Sequence, residues 1–250
     1  MNDLFDAVEI EINSDCNLQC SYCPNSLGQR SVRGEMEVSL YKRIIDELDT
    51  MNFAGRISYS FYNEPLLCSQ LLSHLSYTRM KLPSVKIVLY TNGTLLSLTK
   101  FYDLVAAGVT RFIVTKQENI IKIDLEDYFE KLPEHLKSII FFRSYKEMPL
   151  TNRGGTLPHL GLQMLPKLLP CYVPSHVVTI TMNGNVLPCF EDVYEKNMMG
   201  NLQEKSLFDI WNDQKYQNFR QKLRHCLRHQ FDPCAICNRV NALPLNHDLL

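Results

Sequence analysis

The chain has few of the features that mark membrane or nucleic-acid-binding proteins. Its 250 residues carry a formal net charge of −1, and no apolar run approaches the roughly 20 residues needed to cross a bilayer. Asp3 and Asp6 stand where a secretory signal peptide would be basic. We therefore expect a cytoplasmic protein with neither nucleic acid nor a membrane as partner. The one basic stretch, residues 215–229, is expected to be the solvated face of a helix.

Cysteine, in contrast, is abundant, with nine residues. Disulfides are rare in cytoplasmic proteins, so this number of thiols indicates metal ligation. The remaining composition, 45% hydrophobic and 21% charged, is that of a globular protein able to bury a core. The length fits one large domain or one domain with an appendage.

Strand and helix patterns alternate through the first 145 residues. The expected strands are 7–13, 56–62, 85–91, 111–116 and 138–145, and the expected helices are 39–51 (with Ser39 as N-cap), 67–80, 98–107 and 125–136. This rhythm predicts a mostly parallel sheet with crossover helices. In such folds the loops at the carboxyl ends of the strands build the functional site.

The pattern changes in the second half. Residues 146–170 are rich in Pro, Gly and Leu and are expected to be a connector. Strand-like runs at 176–181 and 185–190 flank Asn183-Gly184, a strong hairpin signal, and a helix is expected at 206–226. We therefore expect two domains, residues 1–150 and 151–250.

Three cysteines in the segment CNLQCSYC, namely Cys16, Cys20 and Cys23, directly follow the first strand. A structural zinc ion requires four protein ligands, and a cubane cluster has four irons that each require one. Three thiolates on one loop therefore leave one iron open for a substrate or cofactor. A zinc site that takes a distant fourth ligand remains the alternative.

A second set of cysteines lies in the carboxyl-terminal part, at Cys171, Cys189, Cys234 and Cys237. Four thiolates are enough to close an iron–sulfur cluster completely. A zinc ribbon with four cysteine ligands has the same requirement, and the spacing alone does not separate the two. Cys68 is expected to be a small buried hydrophobic residue, and Cys226 fits the ligand spacing less well than Cys171.

Both cysteine sets resemble those of one enzyme class. CNLQCSYC, with Tyr22 before the third cysteine, resembles the signature of the radical S-adenosylmethionine (SAM) superfamily, and the second set resembles its Twitch domain, a short relative of the SPASM domain. The resemblance implies a partial, abbreviated (β/α)6-type barrel followed by a small Twitch-type iron–sulfur domain. It also implies two 4Fe–4S clusters, one of them binding SAM through its open iron and one auxiliary.

The same resemblance assigns candidate SAM-binding residues. Asn63-Glu64-Pro65 stands where the family has a GGE-type motif, with Asn63 replacing the usual glycine. By this resemblance Tyr22, Asn63 and Glu64 belong to the cofactor site, and Thr91 and Asn92 approach the SAM ribose or adenine. An ordinary strand-end turn is the alternative for both segments.

Scattered agreement along the whole chain resembles the radical SAM dehydrogenases of aminoglycoside antibiotic biosynthesis. The matching segments are CPNS at 23–26, FAGRIS at 53–58, EPLLC at 64–68, YTNG at 90–93, NRGG at 152–155, GNVLPCFED at 184–192 and DIW at 209–211. This resemblance implies oxidation of a secondary alcohol of a 2-deoxy-scyllo-inosamine-like aminocyclitol to a ketone. Tyr90, Arg153 and Glu191 are then the catalytic and substrate-pocket candidates. Arg153 would act either as a base or through hydrogen bonds to a developing alkoxide.

The implied mechanism uses a 5′-deoxyadenosyl radical to remove hydrogen from the carbinol carbon, and the auxiliary cluster accepts the second electron. A reductant such as flavodoxin or ferredoxin is the expected protein partner of a monomer. One alternative is a radical SAM enzyme that modifies another sugar or cyclitol, or a peptide as an epimerase or crosslinking maturase. Another is a non-catalytic iron–sulfur electron carrier or zinc-binding module.

Overall fold

The computed structural model describes residues 4–28, 33–120, 122–148, 150–157 and 169–239. Its eight-stranded sheet is built from β1 (Ala7–Ile10), β2 (Arg56–Ser58), β3 (Lys86–Thr91), β4 (Arg111–Lys116), β5 (Ile140–Ser144), β6 (Val177–Ile180), β7 (Asn185–Leu187) and β8 (Gly200–Asn201). The strand order is β5-β4-β3-β2-β1-β6-β7-β8. The expected strands are therefore present, several of them shorter than the sequence pattern suggested.

Strand β6 joins the second half of the chain to the first. It pairs in parallel with β1, with Ala7 opposite Val177 and Ile10 opposite Ile180. The first five strands are also parallel to one another. In contrast, β7 is antiparallel to both of its neighbours, β6 and β8. The parallel part of the sheet thus has six strands, of which the sixth comes from the carboxyl-terminal part of the chain.

Eight α-helices occur in the described residues: α1 (Val38–Thr50), α2 (Leu71–Lys81), α3 (Leu98–Ala106), α4 (Glu126–Phe129), α5 (Glu134–Lys137), α6 (Val173–His176), α7 (Leu207–Asn212) and α8 (Gln214–Arg224). Helix α1 forms because apolar residues recur on one face, and Leu40, Ile44 and Leu48 are buried there. None of the helices in this part of the chain has the length and apolar character that a membrane crossing requires.

Two expected helices are each divided in the structure. The segment 125–136 forms α4 and α5, because Pro133 has an extended backbone and stands at the N-cap of α5. The segment 206–226 forms α7 and α8, because Asp213 leaves helical geometry and caps α8 by accepting a hydrogen bond from the Lys215 backbone. The N-cap of α1 is Glu37 rather than Ser39.

The two faces of the parallel sheet differ in polarity. Val8 and Ile10 of β1 are fully buried in the hydrophobic core, as expected where helices cover a sheet. Glu9 lies between them and points to the opposite face, because successive side chains in a strand alternate. Its neighbours in register are Ser58 of β2 and Thr179 of β6. The inner face of the sheet is therefore polar as well as buried.

Candidate active site

The first cysteine loop follows β1 and is held at both ends. At its start, the Asp15 carbonyl accepts a hydrogen bond from the Glu64 backbone N–H at 2.8 Å. Near its end, Ser21 donates from both its backbone N–H and its hydroxyl to Glu118, at 2.8 and 2.6 Å. Tyr22 stacks on Tyr145 with ring centroids 5.4 Å apart, and its hydroxyl donates to Gln117. The loop is therefore fixed to the carboxyl ends of β2 and β4.

The thiols of Cys16, Cys20 and Cys23 are gathered on this loop. Burial raises the pKa of Cys20 to about 11, and the neighbouring thiols of Cys23 and Cys16 add to the rise. Burial likewise raises the pKa of Cys16. Partly buried thiols within electrostatic reach of one another become thiolates when a metal supplies positive charge. The donor set thus fits an iron–sulfur cluster with three protein ligands.

Glu64 joins the ends of β2 and β3. The residue is 1% exposed, and its carboxylate accepts hydrogen bonds from the Thr91 hydroxyl at 2.7 Å and from the Asn92 backbone N–H at 2.8 Å. A third bond comes from the Leu66 backbone N–H at 3.1 Å. Burial raises the pKa of Glu64, whereas these donors oppose the rise. Glu64 therefore fixes the Thr91-Asn92 turn, and its side chain is occupied by protein donors.

Asparagine amides connect this turn to the cysteine loop. Asn92 donates to the side-chain oxygen of Asn17 at 2.9 Å, and its side chain also interacts with Cys16. Asn63, which replaces the family's glycine, donates to the side-chain oxygen of Asn13 at 2.8 Å. The structure thus brings Asn63, Glu64, Thr91 and Asn92 together beside the cysteine loop, as their assignment to one cofactor site requires.

The second cysteine set surrounds one cavity. Cys171, Cys189, Cys234 and Cys237 all line it. The rest of its wall combines apolar residues with polar or charged ones, namely Pro174, Pro188, Leu223, Pro233, Glu191, Asp192, Asn197, Arg228 and Arg239. Burial raises the pKa of each of these four thiols. The Glu191 backbone N–H donates to Cys189 Sγ at 3.4 Å. Four thiols around one cavity fit a fully ligated iron–sulfur cluster.

The described residues do not form a site for a single metal ion. Among the residues that the structure describes, no three Cys, His, Asp or Glu side chains are arranged as ligands of one metal ion. Cys68 and Cys226 do not line the cavity of the second set. Cys68 is buried in the hydrophobic core, as expected from the sequence.

The NRGG segment, residues 152–155, packs against the loops that carry the second set of cysteines. The Asn152 backbone N–H donates to the side-chain oxygen of Asn238 at 2.8 Å, and the Asn152 side-chain amide donates to the Ile236 carbonyl at 2.7 Å. Gly154 has φ +61°, and a Cβ there would stand 2.5 Å from the Glu191 carbonyl oxygen. Only glycine allows this approach. The segment therefore holds Arg153 next to the loop that carries Cys189.

Tyr62, Arg153 and Glu191 meet between the two cysteine sets. The Arg153 guanidinium lies over the Tyr62 ring, 5.8 Å from its centroid, and its Nη1 is 3.9 Å from Glu191 Oε1. The Tyr62 hydroxyl donates to the Phe190 carbonyl at 2.9 Å. Tyr62 is within electrostatic reach of both Cys23 and Cys189. These three polar side chains thus lie between the first and the second set of cysteines.

The charge state of Arg153 follows from its neighbours. Burial alone lowers the pKa of Arg153, but the Tyr62 phenol and the Glu191 carboxylate raise it above its ordinary value. The guanidinium is therefore protonated. A protonated guanidinium donates hydrogen bonds and cannot act as a base.

Tyr90 belongs to the inner face of the sheet. Its hydroxyl accepts a 2.9 Å hydrogen bond from Arg56 Nη1, and Arg56 Nη2 lies 3.5 Å from Glu9 Oε1. Arg143 interacts electrostatically with both Tyr90 and Arg153. All three substrate candidates, Tyr90, Arg153 and Glu191, therefore face one polar interior.

Several residues of this interior were not identified from the sequence: Glu9, Arg56, Tyr62, Arg143, Arg228 and Arg239. Arg239 is bound to Glu191, with Nη2 2.9 Å from Oε1. Arg228 belongs to the basic stretch expected to be solvated, yet it is 4% exposed and lines the cavity of the second cysteine set. The expectation fails at Arg228 because helix α8 ends at Arg224 and the chain then turns inward. Tyr62 could have been noticed, since it directly precedes Asn63-Glu64 at a strand end.

Comparison with known proteins identifies the family. Residues 10–137 match the model of the radical SAM superfamily, and residues 171–238 match that of SPASM, an iron–sulfur cluster-binding domain. The chain is 38% identical, over 96% of its length and 96% of the relative's, to the S-adenosyl-L-methionine-dependent 2-deoxy-scyllo-inosamine dehydrogenase of Niallia circulans.

Solved structures agree with this relationship. The crystal structure of BtrN in complex with AdoMet and 2-DOIA matches with a TM-score of 0.89 and 38% identity, covering 96% of this chain and 95% of that one. BtrN in an open conformation matches with a TM-score of 0.77 and 34% identity over the same shares.

These relationships confirm the expected fold class and cofactors. The mixed α/β sheet is the radical SAM fold with a SPASM or Twitch region at its carboxyl-terminal end. The cofactors are SAM, a 4Fe–4S cluster in the radical SAM domain, and an auxiliary iron–sulfur cluster in the SPASM domain. The chain is an enzyme that belongs to the radical SAM superfamily.

Proposed function

We propose that this enzyme oxidises a secondary alcohol of an aminocyclitol, 2-deoxy-scyllo-inosamine or a close relative, to a ketone in aminoglycoside antibiotic biosynthesis. The observation that carries the proposal is the placement of Tyr62, Arg153 and Glu191 between the two cysteine sets. The relative of 38% identity that bears the name of this dehydrogenase supports the same activity.

The metal-binding residues divide into two groups. Cys16, Cys20 and Cys23 would hold the cluster that binds SAM, and Cys171, Cys189, Cys234 and Cys237 would hold an auxiliary 4Fe–4S cluster. When bound, these cofactors supply hydrogen-atom removal from carbon and a place for the remaining electron. Oxidation of the alcohol also releases the hydroxyl proton, and the protein residues govern that part of the chemistry.

Arg153 is the residue proposed to contact the reacting hydroxyl. Its guanidinium is largely buried and protonated, so it donates hydrogen bonds to the oxygen and stabilises negative charge that develops there. The NRGG segment and the Tyr62 ring fix its position. Of the two roles left open by the sequence, hydrogen bonding is the one that this environment supports.

Glu191 and Tyr90 are proposed to orient the rest of the substrate. Glu191 Oε1 accepts from Arg239 and Thr151, whereas Oε2 has only a 3.1 Å contact with the Thr151 hydroxyl. Oε2 is therefore the oxygen proposed to accept a hydrogen bond from a substrate hydroxyl or ammonium group. The Tyr90 hydroxyl, which accepts a hydrogen bond from Arg56, is the second group proposed to contact the substrate.

The remaining partners are proposals from chemistry. An external one-electron reductant such as flavodoxin or ferredoxin would prime the SAM-binding cluster, and we propose that the enzyme acts as a monomer. A cytoplasmic location is proposed because that compartment keeps cysteine ligands reduced.

Anaerobic turnover tests the proposed function. The reconstituted enzyme is given SAM, a reductant and 2-deoxy-scyllo-inosamine, and 5′-deoxyadenosine and ketone are measured together. Equal yields of both are expected, and neither product should form with the C16A/C20A/C23A variant. Substrate carrying deuterium at the carbinol carbon should transfer it to 5′-deoxyadenosine. Deoxyadenosine without ketone would reject this substrate and redirect the search to other cyclitols, sugars or peptides.

A further inference from the structure

Arg228 is a buried cation beside the auxiliary site. It lies in a 3-10 turn at Arg228–Gln230, after α8, is 4% exposed and lines the same cavity as the four cysteines. Its Nη2 donates to the Cys237 carbonyl at 2.9 Å, and its Nη1 donates to the Arg239 carbonyl at 3.0 Å. Both hydrogen bonds go to neutral groups, so neither removes the positive charge.

The other charges that line this cavity are Arg239, Glu191 and Asp192. Arg239 is paired with Glu191 at 2.9 Å. Asp192 accepts from neutral donors, the backbone N–H groups of Lys196 at 2.9 Å and Asn197 at 2.7 Å. Within the described ranges no carboxylate forms an ion pair with Arg228, whose guanidinium is bound by two backbone carbonyls. A buried charge without a counter-charge is costly unless a ligand provides one.

The four thiolates are the missing counter-charge. The positive charge of Arg228 acts on Cys171, Cys234 and Cys237, which places the guanidinium within electrostatic reach of three of the four ligands. We propose that Arg228 is a positioning residue that raises the reduction potential of the auxiliary cluster. Its fixed charge offsets the negative charge that the cluster gains with an electron.

The physical basis is the environment of the cavity. Net charge, hydrogen bonds to sulfur and solvent exposure set the potential of an iron–sulfur cluster. The Arg228 side chain is almost fully buried, so water does little to screen the guanidinium and its effect on the cluster is strong. The role of a raised potential in turnover rests on the proposed function, in which this cluster accepts an electron from the substrate. The effect of Arg228 on the potential is independent of that function.

Redox titration tests this role without any substrate. The full-length C16A/C20A/C23A chain, which should keep only the auxiliary cluster, serves as the background. R228Q, R228M and R228K are added to it, and the midpoint potential is followed by electron paramagnetic resonance after the iron content is confirmed. The matched control is R224Q, because Arg224 lies four positions away, has the same charge and is exposed.

The expected pattern separates charge from structure. R228Q or R228M should bind an electron at least tenfold more weakly, which is about 59 mV for a one-electron couple. R228K and R224Q should keep the parent midpoint. An unchanged midpoint in a fully loaded R228Q or R228M variant would overturn the proposal. If neither R228Q nor R228M binds iron, the R228K variant provides the test. A midpoint potential in R228K that differs from the parent would overturn the proposal, because it would show that the two carbonyl contacts matter and the charge does not.

Discussion

Arg239 and Glu191 form a buried ion pair across 48 residues of sequence, with Arg239 Nη2 2.9 Å from Glu191 Oε1. Each residue stands two positions after a cysteine of the second set, Cys237 and Cys189. The pair therefore links the segment that carries Cys189 to the segment that carries Cys237. It also fixes the carboxylate that faces Arg153.

Breaking this pair should destabilise the enzyme. R239M removes the nearer of the two cations beside the buried Glu191 carboxylate and leaves only Arg153, 3.9 Å away. We expect a loss of about 3 kcal/mol because breaking a buried ion pair from one side is costly. Anaerobic thermal unfolding of the reconstituted protein measures the effect as a fall in Tm. The double variant E191Q/R239M should regain part of the loss.

An exposed ion pair of the same length provides the control. Arg43 Nε is 2.9 Å from Glu47 Oε1 on the surface of α1. R43M should lower Tm little, since exposed pairs contribute under about 1 kcal/mol. An equal fall in Tm for R43M and R239M would contradict the importance of the buried pair.

Gly154→Ala should displace Arg153. The new Cβ would stand 2.5 Å from the Glu191 carbonyl oxygen, so the NRGG segment must move. We expect at least a tenfold lower rate of ketone formation with little change in SAM binding. The control is Gly28→Ala, because Gly28 has a similar φ of +64° but open space at the Cβ position. Similar losses in both variants would mean that backbone strain, rather than the clash, is responsible.

Removal of one auxiliary ligand should separate the two half-reactions. In C234A we expect SAM cleavage to continue while ketone formation falls at least tenfold, since the second electron loses its acceptor. The assay compares 5′-deoxyadenosine with ketone. C68A is the control for loss of a thiol, because Cys68 is buried and lies outside both ligand sets. If a folded C234A loses both products equally, the cluster has another role.

His74 should make stability fall in acid. It is 2% exposed and stacks on Tyr41 with ring centroids 3.8 Å apart. Burial lowers its pKa to about 4 from an ordinary value of 6.5. The folded state thus resists protonation while the unfolded state accepts it. Stability should be unaffected above pH 6.5 and decline as the pH falls from there towards 4, by up to about 3 kcal/mol.

The variant H74F isolates this contribution. Phenylalanine keeps the ring stacked on Tyr41 but does not titrate, and His74 Nε2 has no hydrogen-bond partner that would be lost. Unfolding measured by urea at pH 7, 6, 5 and 4 should show a flatter profile for H74F than for the wild type. Parallel profiles would assign the acid sensitivity to other groups.

The two cysteine motifs and the succession of strands along the chain could be recognised in the sequence because both are local signals. Three thiols within eight residues predict the first site without knowledge of the fold. Apolar spacing likewise located the strands, although breaks at Pro133 and Asp213 divided two helices. The division into two domains near residue 150 and the roles of individual pocket residues stay predictions.

The charged interior was not accessible, because its members come from distant parts of the chain. Arg56, Arg228 and Arg239 are ordinary arginines in the sequence, and only the folded chain buries them among cysteines and carboxylates. Arg228 was hidden by its basic neighbours, which are exposed. A contact between two residues that lie 48 or more positions apart produces no periodic pattern in the sequence.

The parallel pairing of β6 with β1 has a consequence for how such an enzyme can diversify. Strand β1 leads into the first cysteine loop, and β6 leads through β7 to Cys189, so adjacent strands carry both cofactor sites. The residues proposed to face the substrate lie largely outside this pair, on NRGG and on other strand ends. If those assignments hold, substrate preference can change by substitution at those positions while the two cysteine sets keep their places on adjacent strands.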